Sequence, residues 1–282
     1  MNKNKIIFLV FILVIACMFF ISDNFDNKKN ESPHILNLVL YSTDNGGSYD
    51  KMKELTQSYY KQFSNVKTVY YRFEKNIKTP YELKGNVLLV KGEETYIPGI
   101  LQKTVDAFEY FKPSLNQYDF IIRSNISTII QFDKLSDELR VNPIQYGCGL
   151  CWGIENADKP EKDRGHIYSS GTSIILSSAT VSRILENKQF MDETVIDDVS
   201  IGELISKKMP DVKMKPVFKN VPNNGFAFVP NFNNQTKSGN TLNRFLDENS
   251  DQIVFYRNHN GDRELDVLQM TQIIDYLDKK KH

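Results

Sequence analysis

From residue 35 onward, apolar runs too short to be helices alternate with amphipathic runs of helical length, and this alternation restricts the chain to an α/β architecture. Ile35 to Tyr41 reads as a buried first strand, broken by Ser42 to Gly47 before the amphipathic run Tyr49 to Phe63. Val66 to Phe73 and Val87 to Val90 read as further strands. Pro98 suits an early position of a helix over 100 to 111. Tyr118 to Arg123 reads as a central strand, and Ser170 to Ser177 as a strand-like run about twenty residues before Asp197 and Asp198, which stand just before a helix over 199 to 208. Strands that return through helices pair in parallel, so the expected fold is a mostly parallel central sheet with helices on both faces. Ligands in such sheets bind beyond the carboxyl ends of the strands. The loops after Tyr41, Arg123 and Leu176 are therefore the places to look.

Residues 6 to 21 carry no charge, follow Lys3 and Lys5, and precede a polar run. The segment is slightly short of the roughly 20 apolar residues that cross a bilayer, yet longer than most signal-peptide cores, and no small-x-small cleavage site follows. It is expected to be an uncleaved signal anchor, with a cytosolic tail (1–5), a stem (22–33) and a single domain (34–282). The preceding lysines place the N-terminus in the cytosol. The chain is thus expected to be a single-pass type II membrane protein whose C-terminal domain is lumenal, in the ER or Golgi, or extracytoplasmic. Lys plus Arg equals Asp plus Glu at 35 each, which leaves no basic field for nucleic acid. Cys148 and Cys151 lie in a Gly-rich stretch that reads as a loop, where they form a local disulfide or stay as free thiols; they are too few for a zinc site. Asn30, Asn125 and Asn234 begin glycan-acceptor tripeptides, and Asn234, in a polar stretch, is the best placed of the three.

Four motifs occur in order. They are Gly92-Glu93-Glu94-Thr95-Tyr96 running on to Leu101-Gln102-Lys103-Thr104; Tyr118-Asp119-Phe120-Ile121-Ile122-Arg123-Ser124; Ser170-Gly171-Thr172 running on to Leu176-Ser177; and Asp197-Asp198-Val199-Ser200-Ile201-Gly202. In their order and spacing the chain resembles the fringe and β1,3-galactosyltransferase family, type II membrane proteins with a GT-A nucleotide-sugar fold. The later segment Tyr256-Arg257-Asn258-His259 to Arg263-Glu264-Leu265-Asp266 resembles the C-terminal part of viral and bacterial relatives. The resemblance implies an inverting hexosyl- or N-acetylhexosaminyl-transferase that moves a sugar from a nucleotide-diphosphate donor to a hydroxyl of a glycan or glycoprotein. Asp198 is the candidate base that takes the acceptor proton, with Asp197 second. Expected donor contacts are Tyr41, Ser42, Thr43, Lys103, Arg123, Asn125, Ser127, Gly171, Thr172 and Arg263. Arg257 and His259 are expected to meet the acceptor or the diphosphate.

The chain departs from the family at the metal. Family members carry Asp-x-Asp or Asp-Asp-Asp after the strand to hold Mn²⁺ against the diphosphate. Here Asn125, Ile126 and Ser127 stand at those positions, and neutral oxygens are poor ligands for a hard divalent cation. Arg123, Lys103 and Arg263 are the basic candidates to take over the diphosphate. The same departure supports a rival reading, a catalytically inactive, membrane-tethered sugar-binding protein that retains the GT-A fold. A hydrolase needs two acids about 5 to 10 Å apart across a cleft, which adjacent Asp197 and Asp198 do not by themselves supply. Bland alternatives also stand: helix capping for either aspartate, a turn for Gly171, and a surface ion pair for the Arg263 segment.

Overall fold

The computed structural model describes residues 31–43, 47–153, 167–232 and 241–281. The expected anchor, Asn30, the Asn234 tripeptide, and Asp44 to Gly46 lie outside these residues. Among the described residues no helix is long and apolar enough to cross a membrane.

The chain opens with β1 (Ile35–Leu40), α1 (Ser48–Tyr60), β2 (Val66–Glu74), the hairpin β3 (Tyr81–Lys84) and β4 (Val87–Lys91), α2 (Gly99–Phe111) and β5 (Phe120–Asn125). β1, β2, β4 and β5 pair in parallel, in the order β4-β2-β1-β5. β1 is apolar on both faces because both are covered: Ile35 and Val39 face one layer, Leu36 and Leu38 the other. Asn37, fully buried between them, is accommodated by bonds to Thr68 Oγ1 and from Ser124 Oγ.

Beyond β5 the sheet changes character. After β6 (Thr128–Ile130) and α3 (Phe132–Val141) come β7 (Tyr146–Cys148), the small hairpin β8 (Cys151–Gly153) and β9 (Ile167–Ser169), β10 (Ser173–Ser177), α4 (Ser178–Glu186), α5 (Asp197–Lys208) and β11 (Met214–Pro216). β10 inserts antiparallel between β5 and β7, and β11 closes the edge parallel to β7. The main sheet has eight strands, parallel in four of its seven pairings and antiparallel where β10 meets β5 and β7 and where β3 meets β4. Among the described residues the chain passes from β7 to its neighbour β10 through the short strands β8 and β9, with no helix to supply the crossover that parallel pairing requires. Helices do cover both faces, with α1, α3 and α7 (Arg263–Lys281) on one and α2, α4 and α5 on the other.

A second sheet sets the site. β12 (Phe226–Val229) pairs in parallel with β13 (Phe255–Asn258), which pairs antiparallel with β6; α6 (Leu242–Asn249) connects them. Only Ile126 and Ser127 separate β5 from β6, so one stretch of chain serves both sheets and carries β13 to the carboxyl end of β5. The junction is stapled by Tyr60, whose buried hydroxyl donates to Thr128 O and accepts from Ile130 N, both at 3.1 Å.

Tyr60→Phe leaves those two backbone groups without a partner and is expected to cost about 1–3 kcal/mol in urea unfolding at unchanged m value. Tyr59 is an internal control. Its buried hydroxyl has no hydrogen-bond partner among the described residues, so Tyr59→Phe should be neutral or stabilising in the same measurement.

Candidate functional site

Three adjacent strands end side by side at one edge of the main sheet. Leu40 of β1 lies opposite Asn125 of β5, and Ser124 lies opposite Ser173, the first residue of β10. Tyr41, Asn125 and Thr172 therefore neighbour one another at the edge where the parallel strands have their carboxyl ends.

The arrangement behind that edge is built on Arg123. The middle of an apolar strand carries a guanidinium that is 2% exposed. Such a charge is tolerated only where acceptors converge on it. Asp197 supplies both carboxylate oxygens, Oδ1 at 3.1 Å from Nη2 and Oδ2 at 2.8 Å from Nε. Nη1 donates to Asn125 Oδ1 at 2.8 Å and to the Gly171 carbonyl. Thr104 of α2 donates to Asp197 Oδ2 at 2.8 Å, so the Tyr71 hydroxyl, 2.9 Å away, donates in turn to Thr104. Burial works against the guanidinium's charge and Asp197 works for it, and the balance holds Arg123 above its ordinary pKa. Burial pushes the Asp197 carboxyl above its ordinary range against the pull of Arg123, while the two-oxygen contact with the guanidinium favours the ion pair.

This corrects two expectations. Asp197 is not placed to serve as a base, because its carboxylate is sealed in the core against Arg123 and Thr104. Arg123 does not face a donor, because its positive charge is neutralised from behind. Gly171 is needed for a structural reason as well: a Cβ there would sit 2.5 Å from Arg123 Nη1, so no side chain fits while the guanidinium stays in place.

Asp198 differs from its neighbour. Both aspartates occupy the first turn of α5, whose N-cap Ile196 has no side-chain cap, and both carboxylates suit the positive end of the helix. Successive helical residues point about 100° apart. Asp197 therefore turns into the core while Asp198 turns to the Ser170–Thr172 turn, accepting from Gly171 N and from Val199 N, each at 2.8 Å. A carboxylate has about four acceptor sites, so these two bonds orient Asp198 and leave capacity for another donor. Thr172 and Ser170 hydrogen-bond each other in the same turn.

Lys103 is also reassigned. It is 1% exposed, paired with Glu94 and 5.4 Å from the Phe73 ring centroid, and burial lowers its pKa against the pull of Glu94. Glu94 is anchored in turn by Phe73 N at 3.1 Å. The Glu94–Lys103 pair braces α2 against Phe73 near the carboxyl end of β2, and the lysine's charge is met there within the fold.

At the positions where the resemblance implies metal-binding acids, the residues present do not fit a divalent cation. Asn125 Oδ1 already accepts from Arg123, and Ser127 Oγ already accepts from Arg257 Nη1. Arg257 projects from β13 beside the chain leaving β5, half-buried, and no described carboxylate pairs with it. Burial, followed by the charge of Arg263, brings its pKa down to about 10. Arg263, by contrast, donates to Asp266 Oδ2 at 2.6 Å and lies 5.7 Å from the Tyr49 ring centroid. Asp266 is further held by the Asn260 amide and side chain. His259 is exposed on the turn between β13 and α7.

A cleft of about 830 Å³ opens beside the end of β1 and runs across β2, β3 and β4 toward α1. Tyr41 forms its inner end, its hydroxyl bonded to Asp50 and its ring 5.7 Å from Lys53 Nζ and 5.8 Å from the Arg72 guanidinium. Arg72 and Glu74 line it from alternate positions of β2. Sequence reading did not single out Arg72, Glu74 or Asp50; the visible signal is the charged alternation at the end of an otherwise apolar strand. Ser42 and Thr43 follow Tyr41 at the rim, partly and fully exposed. On the far side of the site Cys148 and Cys151 are joined by a disulfide. They end β7 and begin β8, so the expected loop is the two-residue link Gly149–Leu150, whose amides both donate to Ser173 Oγ at 3.1 Å.

Asp197→Asn removes one partner of a buried pair and is expected to cost about 3–5 kcal/mol. The double variant Arg123→Met/Asp197→Leu should cost less than the sum of its single changes, as read from a denaturation cycle. Gly171→Ala should cost about 1–3 kcal/mol through overpacking against Arg123.

No protein-family profile and no curated protein matches the chain. Among solved structures, the crystal structure of a glycosyltransferase involved in the glycosylation of the major capsid of PBCV-1 aligns with 85% of this chain and 100% of its own, at 11% sequence identity and a TM-score of 0.45.

Proposed function

We propose that this chain is a GT-A-type inverting glycosyltransferase that moves a sugar from a nucleotide-diphosphate donor to a hydroxyl of a glycan or glycoprotein. The observation that carries the reading is the separation of the two adjacent aspartates. Asp197 is locked to Arg123, while Asp198 is oriented by the Gly171 amide at the strand-end edge and retains acceptor capacity. The motif order that resembles the fringe and β1,3-galactosyltransferase family supports the same assignment. The cleft beside Tyr41 is of a size suited to a nucleoside.

In the transfer, Asp198 accepts the proton of the acceptor hydroxyl as that oxygen bonds to the anomeric carbon. The bond from that carbon to the diphosphate breaks on the opposite face, and its electron pair leaves with the phosphate oxygen. Holding both reactants in line supplies much of the rate, and the base contributes about 10² to 10⁴.

The full chain, screened against nucleotide sugars, should release nucleoside diphosphate, and Asp198→Asn should lower that turnover by about 10² to 10⁴. Asp198 also accepts two backbone amides, so the variant should melt lower as well. Nucleotide binding measured well below its melting temperature separates the two effects. A fully active Asp198→Asn protein ends the assignment. The second reading, a sugar-binding protein without catalysis, draws on the neutral Asn125 and Ser127; it requires nucleotide sugars to bind with no diphosphate released.

We further propose that residues 6 to 21 anchor the chain with its C-terminal domain outside the cytosol. The Cys148–Cys151 disulfide supports an oxidising compartment. In sealed microsomes the C-terminus should resist added protease; a digestible C-terminus removes this topology.

A further inference from the structure

We propose that Arg257, with the Ser127 hydroxyl beside it, is a metal-independent site for the diphosphate of the donor, standing where the resembling family places a divalent cation. The inference rests on the glycosyltransferase reading for the identity of the ligand, and on the following geometry for the site itself.

Of the basic side chains that the motifs offer to the diphosphate, Arg123, Lys103, Arg263 and Arg257, the first three are paired within the fold. Arg123 is paired with Asp197 at 2.8 Å, Lys103 with Glu94, and Arg263 with Asp266 at 2.6 Å. Among the described residues Arg257 has no ion-pair partner: it hydrogen-bonds the neutral Ser127 hydroxyl, and Asp266, whose charge acts on it, is bonded to Arg263. It stands opposite Thr128 in the β13–β6 pairing, and directly opposed residues share a face. Thr128 Oγ1 is buried and has no hydrogen-bond partner among the described residues. A guanidinium with no carboxylate partner among the described residues and a buried hydroxyl without a hydrogen bond thus occupy opposed positions of β13 and β6, just past the carboxyl end of β5.

Electrostatics point the same way. The groups that act on Arg257 are Arg263, Asp266, Arg123 and Tyr49, and burial together with the two arginines opposes its charge. A polyanion would relieve that repulsion, and a guanidinium fork matches two phosphate oxygens where an ammonium would offer a point charge. The oxygens of Asn125 and Ser127, already accepting from arginines, offer a metal little in competition.

The test is calorimetric titration of the detergent-solubilised full chain with inorganic pyrophosphate in EDTA, repeated with Mn²⁺. Binding should persist in EDTA, and Arg257→Gln should weaken it about 10- to 100-fold, the loss expected for a charge-assisted contact. Arg257→Lys should recover part of it. Ser127→Asp provides a second variant, since it sets a carboxylate against the guanidinium; in EDTA it should weaken binding comparably. The proposal is overturned if EDTA abolishes binding and Mn²⁺ restores it, or if Arg257→Gln binds as tightly as the unaltered chain. Pyrophosphate binding that depends on Arg257 without turnover of any nucleotide sugar would sustain the site and remove the transferase reading. Asp198-dependent turnover that requires Mn²⁺ and ignores Arg257→Gln would do the reverse.

Discussion

A guanidinium buried in the centre of a sheet is expensive to desolvate, and the fold around Arg123 is organised to meet that cost. The charge is satisfied only when the start of α5, the turn before β10 and the end of β5 converge, because Asp197, the Gly171 carbonyl and Asn125 come from those three places. A charge pair of this kind adds little net stability compared with an apolar replacement, whereas losing one partner is severe. Its effect is therefore on arrangement more than on total stability. With Asp197 turned inward, the helical rotation of about 100° per residue turns Asp198 toward the Gly171 amide. The residue proposed as base owes its orientation to its neighbour's ion pair.

The same interaction links the two sheets. Arg123 belongs to β5, and five residues later the chain is already pairing with β13 in the second sheet. The Tyr60 hydroxyl fastens that crossing from the α1 side, and Gln131, bonded to Ile253 O and the Tyr256 hydroxyl, fastens it from below. Arg257 is consequently held at a set position relative to Arg123 through backbone pairing alone. Preorganisation of this sort removes the ordering cost that a mobile cation would incur on meeting a ligand.

Much of this architecture is legible in the sequence. The strands β1, β2, β4 and β5 and the helices α1, α2 and α5 follow from apolar runs and helical spacing to within a few residues, since both signals are local. β6, β7 and β11 have three residues each and carry no usable periodicity, and their pairing depends on partners far along the chain. The reversal of β10 escapes a local reading for the same reason: Ser173–Ser177 looks the same whether it pairs parallel or antiparallel. At the site, sequence brings Asp197, Asp198, Arg123, Lys103 and Arg257 to notice as charged residues in motifs. It does not reveal which charges are already paired. Asp197 and Arg123 are 74 positions apart, and Lys103 meets an acid from a loop. Distinguishing Asp197 from Asp198 requires knowing which one faces inward, a property of the packed helix and not of the dipeptide.

The neutral Asn125 and Ser127 and the lack of a carboxylate partner for Arg257 among the described residues are two sides of one electrostatic condition. In a site with two aspartates and a divalent cation, the protein carboxylates and the metal cancel, and the field at the diphosphate depends on the cation lying nearer to it. Placing an aspartate at Ser127 without a metal would set a carboxylate against Arg257 and extinguish the positive field. Neutral residues at 125 and 127 leave the guanidinium's charge intact at low dielectric, where it acts more strongly than in water. On the proposed reading, one arginine beside two neutral residues leaves a net positive site without a dication. A divalent ion can dissociate and exchange, whereas an arginine is fixed by the strand that bears it. The field at this edge of the sheet is in that sense encoded by the pairing of β13 with β6.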